Sequence, residues 1–227
     1  MSLTSYFTHI HREGYFFVCV FAILAAGGAI LWAPFGWIFL FLAIWSVYFF
    51  RDPDRMVPEE KDVVVSPADG LIQNIMEVDA PQELGVKGKR IRVSIFLSVM
   101  DVHVNRLPIA GEIKKIDYRP GKFFNASLDK ASVFNEKNYV LVKAKNGTEV
   151  IMSQIAGLIA RRIVCSVKEG DVLEQGERMG IIRFGSRVDV YLATTEIPQV
   201  TIGQTVIGGE TILAKFGAKN KISSKKV

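Results

Sequence analysis

The sequence predicts a mostly β protein: a barrel-sandwich-like soluble domain that carries an N-terminal membrane-associated helical hairpin. Three observations predict it. Residues 14–50 form one long uncharged apolar run. The rest of the chain breaks into short alternating segments punctuated by turn sequences, and those segments show little 3.6-residue periodicity.

The apolar run, GYFFVCVFAILAAGGAILWAPFGWIFLFLAIWSVYFF, comes first. As one helix its roughly 37 residues would extend about 55 Å, against a hydrocarbon core of about 30 Å, so a single straight span does not fit. Pro34 and Gly36 divide it, which predicts segments at about 15–32 and 37–50 joined by a tight turn. Two short spans and a re-entrant hairpin dipping into one leaflet both satisfy these lengths. A cleaved signal peptide does not, since the run is too long and no Ala-x-Ala site follows it. A hairpin returns both ends to one side. Arg12 before it and Arg51 and Arg55 after it predict the cytoplasmic face of the cell membrane. The expected domains are therefore residues 1–50, membrane-associated, and 51–227, β-rich.

After an RDPDR linker come the strand-like runs KDVVVSPADGLIQNIMEV, KRIRVSIFLS, GEIKKIDYRPG, YVLVKAKNGTEVIMSQIAG, RRIVCSVKEGDVLEQGERMGIIRF, RVDVYLATT and TVIGGETILAKF, with KNG and ADG as turns. The best helix candidate is a short segment in FFNASLDKASVF with Asn125 as N-cap. In RVDVYL, Val188, Val190 and Leu192 alternate with Arg187, Asp189 and Tyr191, which predicts a strand with one buried face.

The net charge of +5 is not accompanied by a recognition helix or a basic-aromatic stripe, which argues against nucleic acid and for an anionic lipid surface, toward which the basic tail KFGAKNKISSKK would add attraction. Two cysteines, Cys19 and Cys165, are too few for a disulfide framework, and no group of residues has metal-ligand spacing.

Three segments carry chemistry-bearing residues. Gly185-Ser186 places a flexible residue and a small hydroxyl between two strand-like runs, where a branched apolar residue would pack better. SPADG places Asp69 at a tight turn, and FLSVMDVHVNRLP contains His103, the one histidine of the soluble part, flanked by Asp101 and Arg106. A carboxylate, an imidazole and a hydroxyl are the parts needed to orient a base and activate a nucleophile. Spacing alone does not bring them together. Weaker candidates are Arg161 and Arg162, able to meet a lipid phosphate or cover a strand, and Asn135 and Glu136, able to contact a headgroup or cap a turn.

SPADG, FLSVMDVHVNR, NASLDKASVFNEKN, QIAGLIARRI and RFGSRVDVYL, in this order behind an apolar start and FFRDP, resemble the compact bacterial type of phosphatidylserine decarboxylase. The resemblance implies a proenzyme that cuts itself between Gly185 and Ser186 into a large β chain, 1–185, and a small α chain, 186–227, which remain together as a heterodimer. It implies that the Ser186 hydroxyl attacks the Gly185 carbonyl, that elimination from the resulting ester leaves dehydroalanine, and that hydrolysis gives a covalent pyruvoyl cofactor at position 186. That group would form a Schiff base with the amine of membrane phosphatidylserine and act as the electron sink for its decarboxylation to phosphatidylethanolamine. Gly185 presents no side chain to block the attack, and only a residue with a β-oxygen can both acylate and eliminate. Longer family members carry two histidines three apart, where this chain has His103 and Arg106, so one imidazole is left for cleavage, decarboxylation or both. Asp69 stands at the family's Asp-Gly position and is the expected group to orient a base or assist the ester step. Two rivals stay open. VKEGDVLEQGERMGII also resembles lipoyl-type barrels, although Glu177-Arg178-Met179 replaces the carrier lysine, which suggests a noncatalytic membrane-anchored adaptor. A serine hydrolase would use Ser186 but lacks a Gly-x-Ser-x-Gly elbow.

Overall fold

A computed structural model describes residues 9–60, 62–121, 135–157, 162–183, 186–218 and 220. The chain divides into two compact units, 1–54 and 55–227.

In the first unit, β1 (His9–Ile10) leads into helix α1 (Arg12–Leu31), and α2 (Ala33–Phe49) leads into β2 (Arg51–Asp52), which pairs antiparallel with β1. His11 caps α1, its Nδ1 accepting from the Glu13 N–H at 3.3 Å. The break between the helices falls at Trp32, with extended φ −164° and ψ 117°, rather than at Pro34. Pro34 lies in the first turn of α2, where a missing N–H removes no helical hydrogen bond. Gly36 serves close approach instead, because a Cβ there would lie 2.7 Å from the Cβ of Ala29 on α1. The hairpin keeps its apolar side chains outside, with Ile30 87% and Trp37 71% exposed. At 20 residues α1 is long and apolar enough to cross a membrane, and α2 is a shorter apolar helix of 17. RDPDR is thus more than a linker: Arg51 and Asp52 close the first unit, and Arg55 is anchored within the second.

The second unit is built from β3 (Val63–Val65), β4 (Gly70–Asp79), β5 (Lys89–Leu97), β6 (Val104–Arg106), β7 (Gly111–Arg119), β8 (Lys137–Lys143), β9 (Glu149–Ala156), β10 (Ile163–Cys165), β11 (Val172–Leu173), β12 (Arg178–Ile182), β13 (Ser186–Ala193), β14 (Thr205–Val206) and β15 (Ile212–Lys215). Among the described residues, eight strands form one antiparallel sheet in the order β11-β7-β8-β9-β13-β5-β4-β14, and β10-β12-β6 and β15-β3 form smaller sheets. Alternation selects the inward face. Val93, Ile95, Val140, Met152, Val188 and Val190 of the large sheet share one buried core with Ile163, Met179 and Ile182 of the three-stranded sheet and with Val64 and Leu213. The result is a sandwich-like β domain.

The prediction of one buried face for β13 is corrected. Both faces are buried, because the opposite face of the sheet is covered by a second cluster of Leu84, Tyr139, Leu141, Ile151 and Tyr191, with Val78 and Val86 against it. Arg187 and Asp189 tolerate this burial by pairing with each other, Nη2 donating to Oδ2 at 3.0 Å and Nε 2.9 Å from Oδ1. The proposed helix with Asn125 as cap lies outside the described residues. Most of the basic tail does too, but its first residue, Lys215, belongs to β15 and pairs with Glu60 at 2.9 Å.

Candidate active site

Ser186 is the first residue of β13, fully buried between Leu97 of β5 and Ala156 of β9 in the middle of the large sheet. Its parity puts it on the inward face with Val188 and Val190. Its Oγ has no hydrogen-bond partner. Gly185 lies outside the described residues; β12 ends at Ile182 in the small sheet and β13 begins at Ser186 in the large one.

β6 brings His103 beside the end of β12. β6 pairs with β12 through Val104 and Ile181, and just before it the His103 carbonyl accepts from the Ile182 N–H at 3.3 Å. The imidazole is fully buried, with Nδ1 2.9 Å from the Asp101 carbonyl. A carbonyl only accepts, so in the neutral ring Nδ1 carries the proton and Nε2 keeps the lone pair of a base. Asp101 is itself fixed by a turn, its carboxylate accepting from the Ser98 N–H at 2.7 Å and its own N–H donating to the Ser98 carbonyl at 3.0 Å.

Asp69 is held elsewhere. Its two carboxylate oxygens accept from Arg55 Nη2 at 2.9 and 2.7 Å, and Oδ1 also accepts from the Gly208 N–H at 2.8 Å. Gly70 follows because φ is +149° and a Cβ would run into the Phe96 carbonyl of β5. Burial raises the Asp69 carboxyl above its ordinary value, the Arg55 guanidinium and the Gly208 N–H offset part of that rise, and the charge of Asp101 adds a small push upward. The partner of His103 Nδ1 is thus the Asp101 backbone, while Asp69 joins the residue opening the second unit to the turn before β15.

The weaker candidates resolve into structural bonds where they are described. Asn135 Nδ2 donates to the Ala156 carbonyl at 2.7 Å, and Glu136 Oε1 accepts from Tyr118 Oη at 2.9 Å and from the Ile163 N–H at 3.1 Å. Arg162 is exposed, its carbonyl accepting from the Arg183 N–H at 3.2 Å, and Arg161 lies outside the described residues. Arg178 and Met179 open β12, with Met179 in the core, so this segment does not present a carrier turn.

Sequence reasoning missed a polar row on the inward face. Asn138 of β8 donates from Nδ2 to Gln154 Oε1 at 3.0 Å, and Gln154 of β9 donates from Nε2 to Asn105 Oδ1 of β6 at 2.8 Å. The signal was present in the alternation: Gln154 occupies the inward parity between Met152 and Ala156, opposite Val188 of β13. The opposite face is also electrostatically distinct, since burial raises the Tyr139 and Tyr191 phenols and lowers the Lys137 ammonium around the Arg187–Asp189 pair.

A family model described as phosphatidylserine decarboxylase matches residues 42–214. The chain is 55% identical over 214 residues to the phosphatidylserine decarboxylase proenzyme of Rickettsia akari, covering 94% of this chain and 93% of that one. It is 53% identical over 220 residues to the corresponding proenzyme of Rickettsia felis, covering 96% and 95%. For that of Rickettsia prowazekii the identity is 54% over 214 residues, covering 94% and 93%.

Proposed function

The chain belongs to the phosphatidylserine decarboxylase family, and we propose that its proenzyme matures by self-cleavage at Gly185-Ser186 and that the new end of β13 is the reaction centre. The activity of the family is decarboxylation of phosphatidylserine to phosphatidylethanolamine, a step of phospholipid synthesis. The observation that carries the assignment of the centre is the place of Ser186, a wholly buried hydroxyl without a partner at the first residue of β13; the hydroxyls of Ser94 and Ser153 are also buried without a partner, but those residues lie inside β5 and β9.

In this reading the Ser186 Oγ adds to the Gly185 carbonyl carbon, the C–N bond breaks and the proton of the hydroxyl ends on the freed amine, giving an ester. Loss of the Ser186 α-proton then expels the Gly185 carboxylate, and water converts the remaining enamine to a ketone with release of ammonia. His103 Nε2 is the base suited to moving these protons, held by the Asp101 carbonyl. Asp69 enters as a positioning residue: it ties Arg55 of the large chain to Gly208 of the small chain, across the cut. The site fits a group built from Ser186, because that position is dry and has an apolar floor of Leu97, Ala156 and Val188. When present, the pyruvoyl ketone supplies the electron sink for loss of CO2 from the substrate's α-carbon. The substrate is a diacyl lipid, and exposing each of its methylenes to water costs about 0.8 kcal/mol, so the apolar hairpin is read as keeping the domain at the cytoplasmic face of a membrane.

Intact mass of the purified protein tests the proposal. Two chains, 1–185 and 186–227, are expected, the smaller resistant to N-terminal sequencing. His103→Ala is expected to slow cleavage, turnover or both by about 10²-fold or more. A wild-type protein that stays a single chain and is still active would sink the reading.

A further inference from the structure

The Asn138–Gln154–Asn105 row is unused by the maturation chemistry, yet it occupies the face that carries Ser186. All three amides are at least 99% buried. Their neighbours of the same parity, Val140, Met152, Ala156 and Val188, are apolar core residues, so packing alone would favour apolar residues here. Each link uses one donor and one acceptor, and every donor points the same way, from β8 through β9 to β6. The row has an unpartnered buried atom at each end, the acceptor Asn138 Oδ1 on β8 and the donor Asn105 Nδ2 on β6 beside His103. The donor's position is fixed by β6: Asn105 shares parity with His103 two residues before it, and with the core residue Leu107 after it.

We propose that Asn105 Nδ2 is a carboxylate-binding donor for the serine headgroup of the substrate, polarised by the amides behind it. This rests on the function proposed above. Three features favour a carboxylate. The free group on β6 is a donor, and a dry donor lacking an acceptor is destabilising until an anion or carbonyl fills it. A chain of aligned hydrogen bonds strengthens its terminal N–H, by about 10–30% per bond. The donor is also neutral. A guanidinium or ammonium in its place would hold the ionised carboxylate most tightly in the ground state and lose that attraction as CO2 forms, whereas a neutral amide orients the carboxylate with less of this penalty.

Asn105→Asp tests the proposal, because it preserves the acceptor for Gln154 Nε2 and replaces the terminal donor by an acceptor. The probes are two short-chain lipids that cannot be decarboxylated, one with a 3-hydroxypropionate headgroup and one with an ethanol headgroup. Their inhibition constants are compared in the mature wild type and the variant, with the cleaved fraction measured by intact mass. The wild type is expected to prefer the carboxylate probe by roughly tenfold or more, and the variant to lose that preference while still cleaving. Asn138→Leu, which removes only the far end of the polarising row, should reduce the preference about two- to fivefold with cleavage intact. A cleaved Asn105→Asp protein that retains the preference overturns the proposal. An uncut Asn105→Asp protein overturns it too, because the donor then serves self-cleavage. A wild type that is not cut at all refutes the function proposed above, and this proposal with it.

Discussion

The two units follow opposite rules of solvation. Residues 9–54 leave Ile30, Leu31 and Trp37 exposed and bury little, whereas the β unit buries His103, Ser186, Arg187 and Asp189. In water both arrangements are unfavourable: exposed apolar area wants an apolar solvent, and buried polar atoms want partners. The difference separates the tasks. On the proposed function, the hairpin's surface answers to residence at a membrane, and the polar interior of the sandwich to the chemistry done there. Within the β unit the rule divides again across β13. On one face Arg187 and Asp189 pair with each other, next to the unpartnered hydroxyls of Ser94 and Ser153, and on the other Ser186 Oγ and Asn105 Nδ2 have no partner.

The strongest way to break this comparison is to remove the open hydroxyl. Ser186→Ala is expected to remain one full-length chain with activity at background, read by intact mass and a decarboxylation assay. Cleavage of that variant at the same bond would show that the buried oxygen is not the nucleophile. Next comes the hairpin. A chain beginning at Arg55 retains the Asp69 partner and every residue assigned to cleavage, so it should still mature. Its turnover on phosphatidylserine in bilayers should fall about tenfold or more, with a much smaller loss on a short-chain soluble analogue. Equal losses on both would mean the apolar unit supports the site instead of its residence at the surface.

Much of this division was legible in the sequence. An uncharged run of that length can only be a membrane element or a buried core, and period-2 alternation identified the inward residues of β13. Ser186 and His103 stand out among strand-like runs and Asp69 at a tight turn, and the family resemblance supplied their expected roles. Their partners could not be read. Arg55 looked like a membrane-flanking charge, and its bond to Asp69 spans 14 residues of chain and a turn. Asp101 was noted only as a neighbour of His103, yet its backbone carbonyl is what meets the imidazole. The burial of Arg187 and Asp189 was missed because alternation reports which residues share a face, and not whether another layer covers it.

The closed face of β13 gives the third test, best made in the uncut Ser186→Ala background so that unfolding involves one chain. Arg187→Met leaves the Asp189 carboxylate buried and unpaired and should destabilise by about 3–5 kcal/mol in denaturant, whereas Arg187→Met with Asp189→Leu should recover most of the loss. A single variant as stable as its parent would mean this face is not dry. The smallest effect belongs to Asp69. Its carboxyl is raised in the folded state, mainly by burial, so its contribution to stability is fully present below the ordinary value near 4 and lost as pH rises through the raised value. In the same background, Tm plotted against pH should show wild-type Asp69 gaining on Asp69→Asn toward acid. A gain in the opposite direction would place the Arg55 attraction above the burial penalty.

The central position of β13 has one more consequence, and it concerns molecularity. Ser186–Ala193 pairs along its length with β5 and as far as Tyr191 with β9, both from the other side of the proposed cut, and the small chain that this cut would release contributes β14 against β4 and β15 against β3. Before cleavage, folding is a first-order event whose midpoint does not depend on concentration. Afterwards the same contacts join two molecules, so unfolding becomes a dissociation, the midpoint rises with protein concentration, and a dilute enzyme that opens must find its lost strand by diffusion. One broken peptide bond thereby leaves the native contacts in place but makes their recovery second order.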